Sequence, residues 1–164
     1  MTHPIINIDD VELQHSEAGG RFAADHASVG QLLGAKKLGY RLSIVPPGKR
    51  AWPYHAHLVN EEMVFVISGN GTLRYADNEH PIKAGDVIAF VPGADKPHQI
   101  INTSEHPIKY LCISTMEEPE VVLYPDSGKF GVLAGSAPGG EKNARTFEIF
   151  AKTSSGVPYW DGEA

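Results

Sequence analysis

The chain has 164 residues, enough for one domain that buries roughly 70% of the surface its unfolded form would expose. Its formal net charge of −6, with no cluster of basic residues among interleaved aromatics, argues against a nucleic-acid partner, whose phosphates Lys and Arg must neutralise. The single cysteine forbids an intrachain disulfide, and the longest apolar run falls far short of the roughly 20 residues that span a bilayer, so no membrane partner is expected. Taken in chain order, Met1 to Asp10 has no basic segment followed by an apolar core. It does not read as a signal peptide, and a cytoplasmic location is the expectation. Residues 20–37 are rich in Ala and Gly and predict a short helical turn or a loop. From Tyr40 onward the apolar pattern has a period of two. Tyr40 to Val45 alternates and is stopped by Pro46-Pro47-Gly48. Met63 to Ile67 is a β-branched and aromatic run ended by Ser68-Gly69-Asn70-Gly71, and Thr72 to Tyr75 alternates again. Asn70-Gly71 predicts a hairpin between these two strands. A turn at Ala76 to Glu79 leads into His80 to Lys83, and Gly85-Asp86 opens the strand Val87 to Val91, closed by Pro92-Gly93. Strands His98 to Asn102 and Ile108 to Ser114 follow, the second holding Cys112 as a small buried hydrophobe.

The 17 Gly and 12 Pro fall between these runs and punctuate turns. Short strands at regular spacing, with no amphipathic helix of about ten or more residues between them, predict an all-β barrel or sandwich. No domain boundary is visible, so the chain is read as a single domain (residues 1–164), with a barrel over about 38–125 and a C-terminal extension over 126–164. The extension contains a strand-like segment, Thr146 to Phe150. Its tail carries Tyr159 and Trp160, which need covering by the barrel or by a second copy.

The chemistry lies in two stretches. In an extended segment residues two apart face one side, so His55 and His57 project together. Glu62 starts the next strand and is able to turn back toward them; Glu61 competes for that role, but alternation turns it outward when Glu62 faces in. His98, after the Pro92-Gly93 turn, brings one more imidazole. Imidazole with carboxylate suits one divalent transition ion, with Fe, Mn, Ni, Zn, Co and Cu all compatible. His3, His15, His26, His80 and His106 sit near turns or termini and are expected at the surface. Asn102 and Gly69 read as structural. Trp52, Tyr54, Arg74 and Tyr110 are candidates for a supporting shell, Arg74 more readily as a surface residue; Gln99 adjoins His98 but faces the opposite side.

Together the stretches resemble the paired motifs of the cupin superfamily. Gly48, His55, His57, Glu62 and Gly69 match the first motif, and Gly85, Pro92, Gly93, His98 and Asn102 the second. One extra residue lies between Gly48 and His55 and one between Gly85 and Pro92, while Pro92 and Gly93 are adjacent. These departures leave all four ligand positions intact. Residues 124–129 and the Tyr159-Trp160-Asp161 tail are similar to a bacterial group of single-domain cupins of undefined activity. The resemblance implies a double-stranded β-helix (jelly-roll) barrel, a metal held by His55, His57, Glu62 and His98, and a homodimer. It also implies a metal-dependent enzyme acting on a small molecule bound in the barrel. Dioxygenase chemistry comes first within that class, with isomerase and lyase chemistry beside it. The alternative is a non-catalytic cupin that binds or senses a small ligand. Metal identity, substrate and catalytic residues are not specified by the sequence.

Overall fold

A computed structural model describes residues 4–163; the expectation for His3 lies outside the described residues. The chain is nearly all β, as the period-two pattern predicts. Its strands are β1 (Gln14–Ala18), β2 (Phe22–Ala27), β3 (Leu38–Val45), β4 (Ala56–His57), β5 (Glu62–Ser68), β6 (Asn70–Tyr75), β7 (Asn78–Lys83), β8 (Val87–Phe90), β9 (His98–Ile101), β10 (Ile108–Thr115), β11 (Glu120–Tyr124), β12 (Lys129–Ala134) and β13 (Phe147–Lys152). A short α-helix, α1 (Val29–Leu32), lies between β2 and β3. No described helix is long and apolar enough to cross a membrane.

The strands form a six-stranded sheet in the order β1-β2-β3-β10-β5-β8, a four-stranded sheet β13-β12-β11-β4, and a three-stranded sheet β7-β6-β9. The two smaller sheets meet at an isolated antiparallel bridge between His55 and His98. Together they face the six-stranded sheet across the core, giving the expected double-stranded β-helix. Alternate residues of both layers fill the interior: Val45, Val64, Val66, Phe90, Ile108 and Tyr110 from one, Leu73, Ile82 and Ile100 from the other.

Three local expectations need correction. Asn70-Gly71 does not close a hairpin. β5 pairs with β8 and β10, whereas β6 pairs with β7 and β9, so the chain here leaves one sheet for the other. Gly69, at φ +81°, makes that turn where a Cβ would lie 2.5 Å from the Pro107 carbonyl oxygen. The tight hairpin comes one strand later. Ala76 and Asp77 both take positive φ (45° and 65°) between paired Tyr75 and Asn78, as a two-residue turn with right-handed strand twist requires. The Tyr54 hydroxyl pins it by accepting the Asp77 N–H at 3.0 Å and donating to Asp77 Oδ1 at 3.2 Å.

Second, residues 20–37 are not only turn and loop: β2 occupies Phe22–Ala27 and pairs with β1 and β3. Ala23, Ala24 and Ala27 are buried there, so close packing on the sheet overrides the low strand preference of alanine. Third, His26 is half-buried on β2 with its ring 5.5 Å from Trp52, whereas His15, His80 and His106 are exposed as expected. At the C-terminal end β12 pairs with β11 and β13 with β12, continuing the sheet. Tyr159 and Trp160 remain 85% and 73% exposed, so the chain's own barrel does not cover them.

Asn102 is fully buried and shapes the turn between β9 and β10. Its amide donates to the carbonyls of Val45 (2.7 Å) and His106 (2.8 Å), and its oxygen accepts from the Ser104 N–H and hydroxyl.

Candidate metal centre

His55, His57, Glu62 and His98 converge: each offers one ligand atom, and these atoms lie within 4.8 Å of one another. Backbone pairing sets this up. The His55 N–H donates to His98 O at 3.1 Å and the His98 N–H to His55 O at 2.7 Å, so the two side chains leave the sheet side by side. His57 follows two residues on, within β4, which β11 fixes through Val122 opposite His57. Glu62 begins β5 on the facing sheet. Its carboxylate lies 3.2 Å from His98 Nε2 and 3.7 Å from His57 Nε2. Glu61, by contrast, is exposed.

Each imidazole has an oxygen acceptor near its Nδ1. His55 Nδ1 lies 2.7 Å from Pro53 O, His57 Nδ1 3.3 Å from Glu120 Oε2, and His98 Nδ1 3.5 Å from Lys96 O. At His55 and His57 the acceptor at Nδ1 places the ring proton there and leaves Nε2 with its lone pair facing the centre. The longer contact at His98 Nδ1 instead leaves Nε2–H to donate to Glu62, a proton that must depart before that nitrogen ligates a cation. The rings are also packed: His98 stacks on Phe90 at 3.8 Å with planes 2° apart, and His55 on Tyr124 at 6.2 Å. Burial, then the neighbouring imidazoles, pushes His55 down to about 3, so its ring is neutral. Burial works against the Glu62 charge, but the His98 hydrogen bond and the surrounding imidazoles outweigh it and hold the carboxyl at about 2. Neutral imidazoles and an ionised carboxylate are the protonation states in which such groups ligate a cation. The donor set therefore fits a borderline-soft divalent ion.

Glu120 is the residue that sequence reasoning missed. It is fully buried at the start of β11. Its carboxylate accepts the backbone N–H groups of Leu58 (3.1 Å), Val59 (3.2 Å) and Asn60 (2.9 Å), the Asn60 side-chain amide, and the His57 ring. Burial opposes its charge, but the His57 and Asn60 hydrogen bonds prevail and lower its pKa. The same contacts outweigh burial at His57 and raise its pKa. Asn60 carries the bracing onward: its Oδ1 accepts from the Thr115 hydroxyl (3.0 Å) and the Glu117 N–H (2.8 Å).

The other candidates divide. Tyr110 is buried and faces the cavity, and Trp52 lines it beside Arg41. Tyr54 points instead to the 76–77 turn, and Arg74 lies over its ring at 3.5 Å while pairing with Asp126 through two hydrogen bonds (2.8 and 3.0 Å). Gln99 donates to the Trp52 carbonyl at 2.7 Å. Cys112 also lines the cavity, and burial raises its thiol well above the usual range, keeping it neutral. The four converging side chains open onto this cavity of about 790 Å³ between the two layers, large enough for a small organic molecule.

A family model described as Cupin domain matches residues 41–114. The uncharacterized protein MJ1618 of Methanocaldococcus jannaschii is 33% identical over 72 residues, 44% of this chain; the match spans about half, 55%, of that relative's length. Among solved structures, a candidate sugar phosphate isomerase from Acidithiobacillus ferrooxidans is similar with a TM-score of 0.76 and 26% identity, covering 92% of this chain and 91% of that one. A sugar phosphate isomerase from a cupin superfamily, from Silicibacter pomeroyi, shares the fold with a TM-score of 0.76, 24% identity, and coverage of 96% and 98%. The matched residues run from β3 to β10 and include all four converging side chains, so this chain carries a cupin-type domain.

Proposed function

We propose that the protein is a metal-dependent enzyme acting on a small molecule in its barrel, and that the reaction is an isomerisation of the sugar phosphate class. His55, His57, Glu62 and His98 hold one divalent transition ion in this reading. The observation that carries it is the convergence of three imidazoles, each with an acceptor near Nδ1, and one carboxylate on a cavity of about 790 Å³. The substrate class is supported by the likeness, at 26% identity over nearly the whole chain, to the candidate sugar phosphate isomerase. A divalent ion at this centre supplies Lewis acidity toward a carbonyl or hydroxyl oxygen. The protein's own part is to orient the ligands through Glu120 and the Pro53 and Lys96 carbonyls, and to enclose the substrate between the layers.

Elemental analysis of anaerobically purified wild type beside His57→Ala tests the centre. About one metal per chain, lost in the variant, supports it. Metal in neither protein, even after reconstitution with iron, manganese, nickel and zinc, overturns it. Aldose–ketose interconversion of sugar phosphates then tests the reaction. Oxygen uptake with small carboxylates in place of interconversion would move the assignment to a dioxygenase, and metal binding without turnover would move it to a ligand-binding cupin. The homodimer belongs to the same proposal: exposed Val157, Tyr159 and Trp160 offer apolar surface for a second copy. Sedimentation of a chain ending at Gly156 checks it, an unchanged dimer counting against the tail as the contact.

A further inference from the structure

Arg41 is a cation in the cavity wall with no carboxylate of the described residues at ion-pair distance. On β3 it pairs with Cys112 of β10, which pairs with Val64 of β5; one row along, Gly39, Ser114 and Glu62 align in the same way. All six line the cavity. Neighbouring strands stand about 4.8 Å apart, so the Arg41 backbone lies about 10 Å across the sheet from the Glu62 strand. The guanidinium carbon sits 5.0 Å from the centre of the Trp52 ring, and Nη2 donates to the Ser28 hydroxyl at 3.4 Å. Nη2 also faces Gly139, where a Cβ would lie 3.5 Å away. The Gln31 amide donates to the Gly139 carbonyl at 2.9 Å and so holds the 135–140 segment against α1.

Among the described residues no carboxylate lies within ion-pair distance of Arg41, whereas Arg74 and Arg145 pair with Asp126 and Glu148. A guanidinium has more N–H donors than the one long bond to Ser28 satisfies. Burial lowers the Arg41 pKa, an unfavourable environment for its charge that an anion in the cavity would offset. Of the remaining charged lining residues, Lys36, Glu118 and Glu141 are exposed at the mouth, and Arg145 is half-buried with its guanidinium paired to Glu148. Glu62, across the sheet, attracts the Arg41 charge without reaching it. Among the described residues the guanidinium is thus the inner lining cation left without an ion-pair partner, in a chain of net charge −6.

We infer that Arg41, with Ser28 and the 135–140 segment, is the pole that binds the phosphate group of the substrate, opposite the end that meets the histidines and Glu62. The identity of the anion as a phosphate monoester rests on the function proposed above; the anion pole itself does not. A guanidinium meets phosphate oxygens through two parallel N–H bonds, which fixes orientation as well as charge.

Calorimetric titration of inorganic phosphate and glycerol phosphate into metal-free protein tests this, since no ion is then present to bind phosphate directly. Wild type is expected to bind both, and Arg41→Gln to bind at least about ten-fold more weakly while keeping its metal content and urea midpoint when loaded. His57→Ala is expected to lose metal but keep phosphate binding. Equal phosphate affinity in wild type and Arg41→Gln, or no phosphate binding by metal-free wild type, overturns the inference. Phosphate binding that depends on Arg41 in a protein that never holds metal would leave the anion pole standing and remove the metal centre.

Discussion

Asn102 and Glu120 perform the same structural task at two places in the barrel. Both are fully buried polar residues that satisfy the backbone of a connection between strands. Asn102 takes the carbonyls of Val45 and His106 and the N–H of Ser104, so that its partners are backbone groups and one serine hydroxyl. Glu120 takes the N–H groups of residues 58–60, but it also takes the ring of His57. That one additional contact changes its meaning. A turn shaped by Asn102 is indifferent to what lies in the cavity. The connection shaped by Glu120 shares its carboxylate with a member of the candidate centre, so loop conformation and imidazole orientation are set by the same atoms.

Substitutions separate the two roles. Glu120→Ala leaves three backbone amide donors, that of Asn60 buried, and the buried His57 ring without an acceptor, and is expected to cost about 3–5 kcal/mol in urea unfolding of metal-free protein. Asn102→Ala is expected to cost less, about 2–3 kcal/mol, and to leave metal affinity at the wild-type value. A fall in metal affinity for Asn102→Ala would erase the distinction. Glu120→Gln keeps the shape but not the charge; competition with a chelator should show metal affinity reduced by about 10–100-fold. An unchanged affinity would make Glu120 a turn residue like Asn102. Arg74→Ala removes a surface ion pair with Asp126 and the cation–ring contact with Tyr54, and should change stability by about 1–2 kcal/mol with metal content unaltered.

The same contrast explains what could be read from the sequence. Asn102 and Gly69 stand at recognisable offsets from strand ends, and His55, His57, Glu62 and His98 fall within two short stretches whose alternation aims them inward. Glu120 lies 63 residues beyond His57 in the chain, and only the pairing of β11 with β4 brings them together. A lone glutamate after a proline carries no local signal of burial. Arg41 was hidden for a related reason: alternation along β3 gives its face, but the lack of an ion-pair partner among the described residues depends on what every other strand presents. The failed hairpin at Asn70-Gly71 is the converse case. A dipeptide that favours a tight turn was recruited for close backbone approach, with a Cβ at Gly71 only 2.6 Å from the Ile101 carbonyl oxygen. β1 and β2 escaped notice because small residues such as Ala23 and Ala24 pack on a sheet without the apolar bulk that reveals alternation.

The pairing of His55 with His98 joins the two smaller sheets through one isolated bridge, flanked by the bridge of Arg50 with Ile101. Such a short ladder is where a wall breathes first, and its amides should exchange with solvent deuterium sooner than those of the six-pair ladder between β6 and β7. An ion shared by side chains from both sides of that joint would act as a rivet, slowing exchange at His55 and His98 more than anywhere remote from it. Filling the centre and closing the barrel wall would then be a single event.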